Sequence, residues 1–165
     1  YSFIPPTPFR LKDWEKYDVS RYVDPGCTHP YEGIRSVNPD YDMEFATIER
    51  DLKVLAEGLD MKKTIMLFHS PPYKSNLDRA ALDGMSFDHV PLDVHVGSIA
   101  LQRFIEARQP LVTLHGHIHE SSRLTGSWQD QTGITRMFSA AWDKEELAVV
   151  DFDPAYPEKA ERLIL

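Results

Sequence analysis

The chain has 165 residues, 42% hydrophobic and 27% charged, which is the composition of an ordinary globular domain able to bury a core and not that of a disordered segment. Its 18 basic and 26 acidic side chains give a net charge of -8, and no basic run exceeds Lys62-Lys63, which excludes an extended nucleic-acid surface. An acidic chain can still take a phosphate ligand where divalent cations dominate the local field. The single cysteine, Cys27, excludes an internal disulfide, and with neither a leader nor a run of 18 apolar residues in view the expected setting is the reducing cytoplasm, without a membrane.

Residues 1–43 contain Pro5, Pro6, Pro8, Pro25, Pro30 and Pro39 among scattered aromatics with no helical or strand period, and are read as an irregular segment lying on the surface. From Glu44 the pattern changes. Phe45, Ile48, Leu52, Leu55 and Leu59 recur at three- and four-residue steps, predicting an amphipathic helix that ends near Gly58. The unbroken apolar run at 64–68, between Lys62-Lys63 and Ser70-Pro71-Pro72, predicts a strand buried on both faces. After it come 28 residues from Ser70 to Gly97, too long for a simple connector and carrying Lys74, Arg79, His89 and His95; this stretch is a candidate substrate cap. Ser98 is a candidate N-cap for a helix running through Leu101, Phe104 and Ile105 until Pro110 stops it, and 111–114 reads as a second buried strand.

Beyond His119 four short strands are expected, at 121–128, 134–140, 146–152 and 160–165, separated by Gly126, Gly133, Asp143 and Pro154 to Pro157. A helix-strand-helix-strand block followed by such an antiparallel meander predicts a layered α/β sandwich, forming one domain or part of one, without internal repeats. Trp14, Trp128 and Trp142 are read as packing residues.

Chemistry concentrates at the ends of the two buried strands. Four of the seven histidines lie there: His69, and the cluster His115-Gly116-His117-Ile118-His119. Ligands of covered α/β sheets bind outside the carboxyl ends of strands. Pro71 biases Ser70 toward extended geometry and turns the chain away from His69. If 117–119 is extended, His117 and His119 point the same way about 6.6 Å apart, so each ring can take a different ion of one metal pair. Imidazole suits divalent Zn, Fe, Mn or Ni. Gly116 leaves room for a bend, and His115 is assigned to packing or to supporting a ligand.

His69-Ser70-Pro71-Pro72 followed by Gly116-His117-Ile118-His119 resembles the last two motifs of the calcineurin-like metallophosphoesterases. The opening Ile4-Pro5-Pro6-Thr7-Pro8-Phe9, with Lys12-Asp13-Trp14-Glu15, resembles the stretch that follows the asparagine-histidine motif in a microbial branch of that family. The resemblance implies that His69 and His117 bind one metal and His119 the other, and that the reaction is hydrolysis of a phosphate mono- or diester, nucleotides included, with two divalent ions. The family's Asp-x-His, Gly-Asp-x-x-Asp and Gly-Asn-His-Asp motifs do not precede these residues; Asp93-Val94-His95 lies between the two matched motifs, out of family order.

Residues 1–165 are accordingly expected to form the C-terminal part of a single metallophosphoesterase domain. The N-terminal half, with the bridging carboxylate and the general acid, would come from a segment ahead of Tyr1, which is not a Met, or from a separate chain. Two other readings stay open: a non-catalytic subunit or remnant, and a mononuclear metal hydrolase borrowing Asp93 or Asp88. Oligomeric state is not legible in the sequence.

Overall fold

The computed structural model of the chain describes residues 48–165. The irregular segment at 1–43, the first turn of the predicted helix, Trp14 and Cys27 lie outside the described residues. Within them the protein is a mixed α/β structure with parallel and antiparallel strand pairs.

The first helix, α1, spans Ile48–Leu55 and buries Ile48 and Leu52, with Ala56 in the following turn. Leu55 and Leu59, assigned by spacing to the same stripe, are exposed instead. The buried face is rotated toward Ala56 because α1 packs on the second helix, contributing Ile48, Leu52 and Ala56 to a cluster with Leu101, Phe104 and Ile105. A 3-10 turn at Met61–Lys63, capped by the Asp60 carboxylate on the Lys62 N–H, leads into β1, Ile65–Leu67.

The long stretch after β1 holds a hairpin of β2, Ser86–Phe87, and β3, Val90–Pro91. Asp88 and His89 at its tip both have positive φ, 47° and 67°, as a two-residue type I′ turn requires. Then come α2, Ile99–Arg108, and β4, Val112–His115. Ser98 caps α2 as expected, its hydroxyl accepting from the Leu101 N–H at 3.0 Å. The remaining elements are α3, Ser121–Thr125, β5, Gln129–Thr132, β6, Thr135–Ser139, β7, Ala148–Asp151, and β8, Glu161–Ile164.

The main sheet has the order β1-β4-β6-β5, with β1, β4 and β6 parallel and β5 antiparallel to β6. Strands β7 and β8 pair separately. Two expectations are corrected. Residues 121–125 are helical, because Gly126 at φ 76° closes them as a left-handed C-cap, and the strand of that region is β5, joined to β6 by a turn with Gly133 at its first central position. The tail is therefore not one meander: β6 lies parallel to β4, inside the main sheet.

Strand β4 is buried between two neighbours, as read from its sequence, but β1 is not buried on both faces. Among the described residues it pairs only with β4, and Ile65 and Leu67 are 37% and 75% exposed. Among the described residues β1 is an open apolar edge, a feature that sheets usually cover or pair.

The stretch from Ser70 to Gly97 is organised around one buried carboxylate. Asp78 is fully buried and accepts from the N–H groups of Lys74 (2.9 Å), Ser75 (3.1 Å) and Gly97 (3.1 Å) and from His95 Nδ1 (2.7 Å). Burial pushes its carboxyl pKa up, while those donors pull it back down. The outer part is clipped to the body: the Arg79 N–H donates to the Ser121 hydroxyl, which donates to the Asn76 carbonyl, and the Asn76 N–H donates to Asp130. Gly97 sits where a Cβ would come within 2.5 Å of the Pro72 carbonyl oxygen and 2.8 Å of the Asp78 Cβ.

Both positions predict large losses. Asp78→Ala leaves buried N–H groups without an acceptor and should lower the free energy of unfolding, read from urea titration, by about 3 kcal/mol. Gly97→Ala should cost about 2 kcal/mol or more by overpacking; an unchanged urea midpoint for either variant would contradict this account of the loop.

Candidate metal centre

The parallel pairing of β1 with β4 continues past the ends of both strands. The Phe68 N–H donates to the Leu114 carbonyl at 2.8 Å, and the Gly116 N–H donates to the His69 carbonyl at 2.9 Å. His69 is thereby set beside Gly116. The next residue turns sharply: His117 has φ 70°, and the Ile118 N–H donates to the Gly116 carbonyl at 2.9 Å, a γ-turn centred on His117. Positive φ is uncommon and costly for a side chain of this size.

This turn brings His117 Nδ1 to 2.9 Å from His69 Nε2, with ring centroids 4.8 Å apart and planes at 64°. One ring nitrogen donates its proton to the lone pair of the other. Although His69 is exposed, the protein around its ring lowers its pKa, with a smaller contribution from the charge of His119.

The extended geometry expected for 117–119 is not found. His117 occupies the γ-turn, and His119 stands exposed in the turn that enters α3, outside the close pair. The reason is the single-residue turn, which breaks the two-residue alternation on which the expectation rested. Gly116 also has a milder role than a bend demands, since a Cβ there would meet only ordinary contacts, 3.7 Å to the His69 carbonyl oxygen and 3.9 Å to its Nδ1.

His115 is buried and fully paired. Its Nδ1–H donates to the Ser70 carbonyl at 2.9 Å, which leaves Nε2 to accept from the Thr113 hydroxyl at 2.8 Å. Phe68 stacks against it at 5.8 Å between ring centroids. Burial lowers its pKa to about 4, opposed by the bond to Ser70. The side chain holds the backbone immediately after His69 against β4.

A metal test on these residues gives a partial fit. With metal-to-nitrogen distances of roughly 2.0 to 2.1 Å, two ligands at right angles on one ion lie about 2.9 Å apart, and at the tetrahedral angle about 3.3 Å. The separation of His69 Nε2 from His117 Nδ1 matches the first. No group of three or more His, Cys, Asp or Glu side chains is placed to hold a metal among the described residues. Asp93 accepts from the Tyr73 hydroxyl at 2.6 Å and from the His95 N–H at 2.9 Å, and Asp88 lies in the hairpin turn, so both belong to the loop's own framework.

Asp78 is the structural support of the loop after His69 that the sequence did not single out, because nothing local distinguishes it from a surface aspartate; its four donors come from 74–97 only after folding. No family model, no curated protein and no solved structure matches the chain.

Two outcomes are expected from this geometry. The His115 pKa of about 4 lies below the usual 6.5, so the unfolded chain takes up the proton first; stability is intact above pH 6.5 and falls as pH drops toward 4, by on the order of 3 kcal/mol. Urea titrations across that window should show the loss in the native protein and a smaller one in His115→Gln. Gly116→Ala should shift the midpoint by less than about 1 kcal/mol, in contrast to Gly97→Ala.

Proposed function

We propose that the chain is the C-terminal half of a two-metal phosphoesterase, with His69 and His117 sharing one divalent ion and His119 serving the second. The observation that carries this reading is the 2.9 Å approach of His69 Nε2 to His117 Nδ1, produced by two strand ends and a strained turn. The pair that converges is the pair that the resemblance to the calcineurin-like phosphoesterases assigns to one metal, and the histidine left outside it is the one assigned to the other. The ions are two of Mn, Fe, Zn or Ni in the divalent state, and the substrate is a phosphate mono- or diester, nucleotides included.

The open edge supports the half-domain reading. Ile65 and Leu67 on β1 are exposed apolar side chains beside an open strand edge, where an N-terminal half in a preceding segment or a separate chain would dock, and Val54, Leu55 and Leu59 around α1 are exposed as well. Two divalent ions, once bound, supply positive charge for the phosphoryl oxygens and lower the pKa of water. The chain's own residues act by position: His69 Nε2 and His117 Nδ1 share one proton, which an ion held by both would displace, His115 fixes the segment that bears His69, and Asp78 holds the loop beyond it. No described helix is long and apolar enough to cross a membrane. The cytoplasmic assignment rests on the single cysteine.

The two-imidazole set, without a third ligand among the described residues, favours one second reading, a metal-binding subunit without activity of its own. Two measurements decide between them. Calorimetric titration with Mn2+ should show binding that His69→Ala and His117→Ala each weaken at least tenfold, with His115→Gln much less affected; equal affinity in all variants would dismiss the metal assignment. The 165-residue chain should not hydrolyse bis-p-nitrophenyl phosphate, whereas the chain joined to an N-terminal half should do so with added Mn2+, and His117→Ala should then remove nearly all of that rate. Inactivity of the completed protein would leave the non-catalytic reading.

A further inference from the structure

Strands β1, β4 and β6 run parallel, so their carboxyl ends open on the same side of the sheet. His69 follows the first and His117 the second; the third is followed by 140–143, ending in Trp142 and Asp143. The register pairs His115 with Ser139, so the segment bearing His117 and the segment bearing Trp142 leave the sheet from adjacent positions. Farther on, Arg123 of α3 donates from Nε to Asp143 at 2.7 Å and clips the two segments together.

A cationic cluster is built on this third segment. Arg162, delivered by β8, places its guanidinium carbon 4.8 Å from the centroid of the Trp142 ring and donates from Nη2 to the Ala141 carbonyl at 2.8 Å. The ammonium of Lys144 lies 5.3 Å from the same centroid. Such contacts orient a cation but leave its charge uncompensated. Neither Arg162 nor Lys144 forms an ion pair among the described residues, and two buried donors there, Arg162 Nε and Trp142 Nε1, have no acceptor. Buried donors without acceptors are costly, so they mark a place organised for something besides stability. The nearby acids do not supply the missing acceptor: Asp143 is engaged by Arg123, and Glu145 and Glu146 are exposed beside Lys144. Their charge offsets that of Lys144 and leaves Arg162 as the main attraction for an anion.

We propose that Arg162, held on Trp142 with Lys144, forms an oxyanion subsite that takes a second phosphate of the substrate, beyond the ester to be cut. The inference rests on the two-metal reading for the position of the reacting ester, and it narrows the substrates of that reading to those with two anionic groups. The Nη1 end of the planar Arg162 guanidinium has no partner among the described residues and suits a phosphate, while Nη2 is engaged by the Ala141 carbonyl and Nε is buried.

The test is calorimetric titration of the metal-stripped chain, kept in a chelator, with pyrophosphate, which removes the histidine centre from the measurement. Wild-type protein should bind, Arg162→Gln should weaken binding at least tenfold, Lys144→Gln about threefold, and Arg162→Lys should recover part of the loss. Lys53→Gln, on the far helix α1, should change nothing; an equal loss there would mean diffuse attraction and overturn the subsite. Absence of binding by the wild type, or binding unaffected by Arg162→Gln at an unchanged urea midpoint, overturns it as well. If Arg162→Gln does not fold, Lys144→Gln decides, and unchanged affinity in that exposed variant overturns the proposal. His117→Ala should leave this metal-free binding intact, so a failure of the Mn2+ titrations would sink the metal reading while the pyrophosphate result stood separately.

Discussion

The site depends on one constraint, the continuation of the β1–β4 pairing beyond the last residues of both strands. The bond from the Gly116 N–H to the His69 carbonyl and the bond from His115 Nδ1 to the Ser70 carbonyl hold the two chain segments together at the point where each turns away. Parallel strands have no hairpin to fix their relative positions, so these two bonds do that work where the histidines emerge. With the segments fixed, a γ-turn at His117 is enough to bring the rings together.

The same constraint explains why a buried imidazole is tolerated. A neutral histidine carries one donor and one acceptor, and at position 115 both are used, by a carbonyl and by a hydroxyl. Replacing it by an apolar residue would remove the donor that holds the Ser70 carbonyl. Beyond Pro71 and Pro72, Asp78 takes over the same function at longer range by collecting N–H groups from both ends of the loop. The loop after His69 is thus a pinned framework resting on α3 and β5.

Burial is uneven across the molecule. The core gathers α1, α2 and the inner face of the sheet around Leu52, Leu101, Ile105 and Met137, while β1 exposes Leu67 and Ile65 along an edge. A parallel edge of this kind favours pairing because its backbone groups and apolar side chains are satisfied together by an added strand. The open edge and the lack of a third metal-binding side chain beside His69 and His117, both among the described residues, are the two independent features on which the half-domain proposal stands.

Several elements were legible in the residues themselves. Ser98 and Pro110 bound α2 because a hydroxyl cap and a missing N–H act locally, and the apolar run at 111–114 lies close to β4 because a strand with two neighbours has no polar face. The strand-end placement of His69 and His117 followed from the same runs. Other features were decided by contacts between distant segments. The apolar pattern of 64–68 could not show that β1 leaves Ile65 and Leu67 exposed, the Ser121 to Thr125 stretch became a helix against the loop at 76–79, and the γ-turn at His117 broke the alternation that would have aligned it with His119. Asp78 became a hub only when residues three to nineteen positions away met around it. Sequence alone therefore determined where the histidines cluster and which segments are apolar, since those are properties of side chains and near neighbours; which nitrogens face each other was set by tertiary structure, because that depends on bonds closed across tens of residues.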